Sequence, residues 1–187
     1  MGGMSAFGTA HAASLNMVTA GRTSQPIGHF EFCQTYAGEC RATGTAMPIA
    51  LTQKSWDDIL DVNADVNAEI YPMTDMQIHG VEEVWSFPAD IGDCEDFVLE
   101  KRRRLIEMGY AASNLLVTVV LQPSGAGHAV LTVRTDRGDY ILDNMRGGAM
   151  LWLDTEYTYL KRQSTQHAGT WETINDNREP MAVGSVR

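Results

Sequence analysis

The feature of this sequence that most constrains its fold is a set of three strand-like runs behind one well-marked helix. The runs extend from Leu115 to Leu121, from His128 to Arg134 and from Tyr140 to Asp143. The polar segment 136–139, Asp-Arg-Gly-Asp, is typical of a hairpin turn between the last two runs. Runs joined by short turns pair antiparallel, so we expect an antiparallel sheet in this half of the chain.

Two helices are predicted before these strands. The first covers residues 53–70, with Thr52 as a plausible N-cap. The second helix begins after Asp93 and is predicted to end at Gly109. Asp96, three residues after Asp93, occupies the position of a capping-box variant. Helices followed by an antiparallel set of strands give the class α+β.

The remaining segments carry weaker signals. Residues 27–49 are interrupted by Gly and Pro, and we expect irregular structure with short strands there. Residues 71–92 contain Pro72, Gly80 and Pro88, which predict a long ordered loop. A long loop inside a compact domain is usually functional.

The chain of 187 residues fits one domain, which we assign to residues 23–187. Residues 1–22 are expected to be a flexible N-terminus. They contain Ala10-His11-Ala12, the A-x-A pattern at which signal peptidase cuts, so we interpret them as the remnant of an export signal. The alternative to an export signal is a flexible terminus that is merely rich in small residues.

The charge balance argues against nucleic acid as a partner. Lys and Arg total 14 against 24 for Asp and Glu, which gives a net charge of −10. A surface of this charge repels phosphate backbones.

No apolar run approaches the roughly 20 residues that a membrane-spanning helix needs, so no transmembrane segment is expected.

The three cysteines separate by spacing into a close pair and a single residue. Cys33 and Cys40 lie near each other in a Gly-containing segment, whereas Cys94 stands alone. In an oxidising compartment the pair would form a disulfide and leave one free thiol. Metal binding by the pair is disfavoured, because no second Cys/His pair follows at zinc spacing.

Cys94 is placed at the start of the second predicted helix. Exposed backbone N–H groups and the helix dipole favour a thiolate at such a position. The same N–H groups can stabilise the oxyanion of a tetrahedral intermediate. Taken alone, a cysteine at a helix start is more often an inert buried residue.

His128 and Asp143 supply the partners that a nucleophilic cysteine needs. His128 begins one strand of the predicted hairpin, and Asp143 ends the returning strand. A two-residue loop at positions 136–137 would put Asp143 within diagonal reach of His128. In that arrangement Cys94 attacks an acyl carbon, His128 acts as its base and Asp143 orients the ring. Asn144 is the alternative for the third role.

These motifs, in this order, resemble the bacterial transglutaminase-like cysteine proteinases, including the LapG-type periplasmic proteases. The resemblance covers roughly residues 54–144 and rests on Gly92–Phe97, Lys101, Leu105, Gly109, Gly127–Leu131 and Leu142–Asn144. It implies a papain-like, transglutaminase-like fold, with the nucleophile at a helix N-terminus packed on an antiparallel sheet, and a Cys-His-Asp triad. It also implies export to the periplasm, endoproteolysis of a cell-surface adhesin, and an inner-membrane receptor as a regulatory partner.

Acidic residues flank the predicted nucleophile. Asp93, Glu95 and Asp96 oppose thiolate formation at Cys94 by like-charge repulsion, and a bound cation would remove this conflict. Carboxylate oxygens suit calcium. The resemblance implies calcium dependence here, with Asp75, Asp93, Glu95 and Asp96 as ligands. The alternative is that these acids act only as helix caps and dipole partners.

Two other functions compete with a cysteine endopeptidase. Transglutaminases run the same acyl-thioester chemistry with an amine in place of water, and the sequence does not distinguish the two reactions. A non-catalytic peptide-binding module is the other rival. A binding module does not require Cys94, His128 and Asp143 together, so the presence of all three argues against it.

We interpret three further features as structural. Trp85 is expected to be a buried aromatic residue, with its indole N–H as an alternative oxyanion donor. The run 102–104, Arg-Arg-Arg, is interpreted as the solvated face of the second helix. The remaining histidines are expected to be structural or solvated, namely His11, His29, His79 and His167.

Overall fold

A computed structural model describes residues 14–176 and residue 178. This part of the chain forms the strands β1 (Thr19–Thr23), β2 (Tyr71–Pro72), β3 (Ile91–Gly92), β4 (Leu115–Leu121), β5 (Gly127–Thr135), β6 (Gly138–Leu142), β7 (Met150–Leu151), β8 (Thr158–Gln163) and β9 (Trp171–Ile174). Seven of these strands form one antiparallel sheet in the order β1-β9-β8-β4-β5-β6-β7. The other two, β2 and β3, form a short parallel pair.

The helices precede most of the sheet, as the α+β prediction requires. They are α1 (Ile27–Thr35), α2 (Gln53–Glu69), α3 (Asp75–Ile78) and α4 (Cys94–Glu107). The predicted N-cap of α2 is confirmed, because the Thr52 side chain accepts a hydrogen bond from the Ser55 N–H. Helix α4 packs on β4 and β5, and α2 packs on α4. Among the described residues, no helix has the length and apolar character needed to cross a membrane.

The β5–β6 hairpin sets the relation between His128 and Asp143. The strands pair from Thr135–Gly138 onward, so the turn consists of two residues, 136–137. This is the turn length that the sequence analysis required. Asp143 follows the last paired residue of β6 and lies diagonally across from His128 on the same face of the sheet.

Both faces of the sheet are covered by apolar side chains. The larger core lies between the sheet and helices α2 and α4, and it includes Leu131. A smaller core covers the other face and includes Val130 and Trp152. Successive residues of a strand point to opposite faces, which is why these two neighbours on β5 belong to different cores. Cys94 packs at the margin of the larger core, where α4 meets the sheet.

The structure corrects the N-terminal boundary of the domain. Residues 14–22 were expected to be flexible, but β1 pairs with β9 at the edge of the sheet. Met17 is 5% exposed, and its backbone N–H donates to the buried Asp139 carboxylate at 2.9 Å. This carboxylate therefore fixes the segment to the sheet. The Ala10-His11-Ala12 pattern lies outside the described residues.

Two local predictions are also wrong. The segment 27–49 contains α1, which the sequence concealed because its apolar residues are spread around the helix axis and form no stripe. Arg102 is not solvated, since it is 4% exposed and donates to the Leu115 carbonyl and the Glu39 carboxylate. Only Arg103 and Arg104 lie on the partly exposed face of α4.

Candidate active site

Cys94 is the first residue of α4 and is partly exposed. Its Sγ donates to Glu95 Oε2 at 3.0 Å. Burial, followed by the Glu95 carboxyl group, raises the pKa of Cys94 well above its usual value, and the Ala129 backbone N–H opposes this shift. The sulfur is therefore held as a thiol in this arrangement, although it lies at a helix N-terminus.

His128 is held by Asp143. The His128 Nε2 atom lies 2.9 Å from Asp143 Oδ1, and both side chains are buried. The same oxygen accepts the Met145 backbone N–H at 3.0 Å, and the other carboxylate oxygen accepts the Tyr157 hydroxyl at 2.6 Å. Burial alone would raise the pKa of Asp143, but these hydrogen bonds hold it below its usual value. Asp143 is thus an oriented anion.

Cys94 and His128 open into the same cleft. Its volume is about 590 Å³. The floor is formed by the start of α4 and of β5, and the walls come from the loop before α4 and from β8. The lining residues are Pro26, Glu82, Glu83, Trp85, Cys94, Glu95, Val119, Gly127, His128, Ala129 and Lys161. The fold thus brings together the three side chains that the sequence analysis selected.

An acidic cluster lies beside the start of α4. One carboxylate oxygen from each of Asp75, Asp93 and Asp96 lies within 4.8 Å of the others. Asp96 Oδ1 accepts the Ser86 backbone N–H at 2.8 Å, which ties the cluster to the preceding loop. The Asp93 side chain does not cap α4, so the predicted capping role is wrong.

This cluster fits a hard cation. Asp75 Oδ1 and Asp93 Oδ1 are buried and accept no hydrogen bond from any described residue. Burial raises the pKa of Asp93 to about 6 and that of Asp96 to about 7, with repulsion from the neighbouring carboxylates adding to both shifts. Unpaired carboxylate oxygens at this spacing are the donor set that calcium prefers.

Glu95 lies at the edge of the acidic cluster, next to the Cys94 sulfur. It is not in the group of close carboxylate oxygens, and its Oε2 instead faces the Cys94 sulfur. The physical reason is its position on the helix, since consecutive residues of an α-helix point in different directions. Asp75, Asp93 and Asp96 therefore form the closest group, whereas Glu95 lines one pocket with Asp75 and Asp93 and also lines the cleft with Cys94.

The sequence of residues 19–179 matches the family described as bacterial transglutaminase-like cysteine proteinase, BTLCP. This span contains the whole cleft and the acidic cluster. The chain belongs to this family. It is a cysteine peptidase, as the sequence analysis predicted, and the reading as a silent binding module is set aside.

Two solved structures of LapG from Legionella pneumophila are similar to this proteinase. The first is 23% identical with a TM-score of 0.52, and the alignment covers 62% of this chain and 67% of that one. The second, which is calcium-bound, is 21% identical with a TM-score of 0.53 and coverages of 67% and 72%. These likenesses confirm the transglutaminase-like fold. A comparison with curated protein sequences gives no match.

Two residues of the proteinase site escaped the sequence analysis. Tyr157, whose hydroxyl donates to Asp143, lies outside every motif that the sequence analysis selected. Burial, followed by the Asp143 carboxylate, raises the pKa of Tyr157 to about 12. Asn67 on α2 donates to the Asp143 carbonyl at 2.9 Å. Neither residue stands near the triad in the sequence, so only the fold reveals them.

Other predicted features of the proteinase have structural roles. Trp85 is 6% exposed, and its indole N–H donates to Glu83 Oε2 at 3.3 Å. His29 is buried against Trp171, whose indole N–H donates to its Nδ1 at 3.2 Å. The disulfide prediction is confirmed, since Cys33 in α1 and Cys40 in the turn after it are bonded to each other.

Proposed function

We propose that this peptidase is an endopeptidase that cuts a protein substrate through Cys94, His128 and Asp143. The observation that carries this proposal is the shared cleft. Cys94 and His128 both line it, and the imidazole of His128 is fixed from behind by the Asp143 carboxylate at 2.9 Å. Nucleophile, base and orienting carboxylate are the parts that acyl transfer through a thioester requires.

The hydrogen bond to Asp143 determines the role of each imidazole nitrogen. Because Nε2 is engaged with the carboxylate, Nδ1 is the nitrogen left to take the proton of the Cys94 thiol. The resulting thiolate attacks the carbonyl carbon of a peptide bond. Backbone N–H groups in the first turn of α4 lack intrahelical acceptors and stabilise the oxyanion.

The second half of the reaction reverses the proton transfer. The His128 imidazolium gives its proton to the leaving amine, and the tetrahedral intermediate collapses to a thioester on Cys94. The neutral imidazole then takes a proton from water as the water oxygen attacks the thioester carbon. The C–S bond breaks, the acid product is released, and the imidazolium returns its proton to the Cys94 thiolate. Asp143 stays ionised throughout and keeps the ring in one orientation.

We further propose calcium as the ion held by Asp75, Asp93 and Asp96. The support is the pair of buried carboxylate oxygens without partners and the calcium-bound state of one LapG structure. When bound, the ion would offset the negative charge next to Cys94 and so favour its thiolate. Glu95 then remains as the carboxyl group that faces the sulfur from the cleft.

The cellular setting is proposed as the periplasm, with a secreted adhesin as substrate and an inner-membrane receptor as regulator. The Cys33–Cys40 disulfide supports an oxidising compartment. Membership of the proteinase family supports a protein substrate. The pairing with an adhesin is suggested by the resemblance to LapG-type proteases described above.

Substitution at the triad tests the proposed mechanism. Cys94→Ala and His128→Ala should each abolish cleavage of an unfolded protein substrate while the circular dichroism spectrum stays unchanged. The His167→Ala variant, which is changed at a histidine outside the cleft, should cleave the same substrate at the normal rate. Retained cleavage in either triad variant would reject the assignment. Including a primary amine separates the two chemistries, because amide transfer gives an amine-linked product and hydrolysis gives a free acid.

A further inference from the structure

Lys161 on β8 is a cationic side chain in the wall of the active-site cleft. Among the described residues that line this cleft it is the only lysine or arginine, whereas Glu83 is one of three acidic ones. The Lys161 side chain is half-buried, and its Nζ donates to the Ser24 carbonyl at 2.9 Å. Within the described chain this ammonium forms no ion pair, in contrast to Lys54, which pairs with Asp58. An ammonium group has three N–H donors, so two remain for a ligand in the cleft.

A β-bulge turns Lys161 toward the cleft. Lys161 is paired with Val119 of β4, but the next pair is Tyr159 with Val120, so Leu160 is an extra residue in β8. In a regular strand Tyr159 and Lys161 would share a face, because successive side chains alternate. The bulge separates them, since Tyr159 packs in the smaller core and Lys161 lines the cleft. Bulges are frequent next to active sites, where they change the direction of a side chain.

The register of the sheet places Lys161 close to the reacting groups. Lys161 is paired with Val119, and Val119 is paired with Ala129, the residue after His128. Paired residues of adjacent strands share a face, and these three residues all line the cleft. Because neighbouring strands lie about 4.8 Å apart, the Lys161 backbone lies about 10 Å from that of Ala129. An extended peptide advances about 3.3 Å per residue, so Lys161 is within reach of a substrate residue about three positions from the scissile bond.

The other wall of the cleft carries the opposite charge. Glu83 lies on this wall, and its carboxylate accepts the Trp85 indole N–H at 3.3 Å. The backbone N–H of Val84 donates to the Asp75 carboxylate, which fixes the same loop. The negative charge is therefore held on the loop, where it does not pair with Lys161. A substrate carboxylate is repelled by this wall and attracted to the β8 wall.

We propose that Lys161 is a specificity-determining residue of the peptidase, which selects substrates with an Asp or Glu side chain within about three residues of the scissile bond. This inference rests on the proposed function, because it names the substrate class of the same cleft. The substrate carboxylate accepts the free N–H groups of Lys161 in a charge-assisted hydrogen bond. The peptide is thereby held along the sheet with its carbonyl carbon near Cys94.

Cleavage-site profiling of a random-sequence peptide mixture, at saturating calcium, tests this proposal. Cut sites mapped by mass spectrometry should show Asp and Glu enriched at one position within about three residues of the cut. A peptide with Glu at that position should have a kcat/KM about tenfold higher than the same peptide with Gln, mainly through KM. Lys161→Glu should reverse the preference, so that the peptide with Lys becomes the best substrate. Lys54→Glu, the same change on the exposed surface of α2, is the matched control and should keep the original preference.

A purely structural role for Lys161 predicts a different result. Loss of the hydrogen bond to Ser24 would slow cleavage of the Glu, Gln and Lys peptides by one common factor, in Lys161→Met and in Lys161→Glu alike. That result, or a cleavage profile of the unaltered protein without acidic enrichment, would overturn the inference and leave the proposed function standing. Cleavage by Cys94→Ala would instead remove the proposed function. Should Lys161→Glu not fold, Lys161→Gln must cleave the Glu and Gln peptides equally for the inference to hold.

Discussion

Asp143 is the residue on which the largest number of site contacts converge. Its carboxylate accepts from the imidazole, from a tyrosine hydroxyl and from a backbone N–H, and its own carbonyl accepts from Asn67. Hydrogen bonds to a charged acceptor are about twice as strong as neutral ones. The orientation of the base therefore depends on residues that do not line the cleft.

The Tyr157 hydroxyl is the contact that is simplest to remove. Tyr157→Phe deletes the 2.6 Å hydrogen bond to Asp143 Oδ2 and keeps the ring that packs near His128. We expect kcat/KM to fall about tenfold, which corresponds to about 1.4 kcal/mol. Tyr159→Phe, which loses only a bond to Thr155, is the control and should keep normal activity. Equal kinetics for the two variants would show that Tyr157 does not orient the carboxylate.

His29 gives the fold a dependence on pH. Burial, aided by Arg102, lowers the pKa of His29 from 6.5 to about 4. A group with a lowered pKa in the folded state contributes its full stability above its unfolded pKa, and this stability is lost as the pH falls. Between pH 6.5 and 4 we expect the free energy of unfolding to drop by up to about 3 kcal/mol on account of this residue.

Urea unfolding at several pH values measures this effect. His29→Gln cannot acquire a charge, so its free energy of unfolding should change less over the same interval, even though the variant starts from a lower value. His167→Gln, at an exposed histidine, should keep the slope of the unaltered protein. A parallel loss of stability in all three proteins would place the acid sensitivity elsewhere.

At the level of elements, the start of α4 is the structural centre of the site. It carries the nucleophile, two members of the acidic cluster and the N–H groups of the oxyanion site. Gly92 immediately precedes it and packs closely, because an added Cβ would lie 2.8 Å from the Asp96 Cβ and 2.9 Å from its Oδ2. The Asp96 side chain therefore packs directly against the backbone of Gly92, where a side chain would collide with it.

Gly92→Ala should disturb this fit. The added methyl group must displace Asp96 or the helix start, with a cost of about 1–3 kcal/mol in the free energy of unfolding. We expect lower calcium affinity by titration calorimetry and lower peptidase activity. Gly148→Ala introduces the same group where nothing lies within 4 Å, so it should bind calcium and cleave normally. Unchanged calcium affinity in Gly92→Ala would mean that the cluster tolerates a shifted Asp96.

For the whole molecule, calcium should act as a stabilising ligand. Binding at one hundred times the dissociation constant raises the free energy of unfolding by about 2.7 kcal/mol. A chelator should therefore lower Tm and abolish cleavage, and added calcium should restore both. Asp75→Asn should lose most of this response, whereas Asp90→Asn, an exposed change, should retain it. An unaltered Tm and activity after chelation would remove the metal from the proposal.

The sequence predicted the strands and the meeting of His128 with Asp143 better than it predicted the surroundings. The hairpin of His128 and Asp143 was accessible because strand alternation and a two-residue turn are local properties. Helix α1 was missed because it has no apolar stripe, and β1 was missed because its partner β9 lies at the other end of the described chain. Tyr157 joins the site through tertiary packing alone, which no local pattern encodes.

The register of the β5–β6 hairpin is therefore a catalytic requirement as well as a packing requirement. A slip of one residue between these strands would turn Asp143 to the opposite face of the sheet, away from His128, together with every other side chain of β6. A slip between β4 and β5 would leave His128 and Asp143 facing each other, because both residues lie on the β5–β6 side of the 122–126 loop. Evolution of this chain can vary the first pairing more freely than the second.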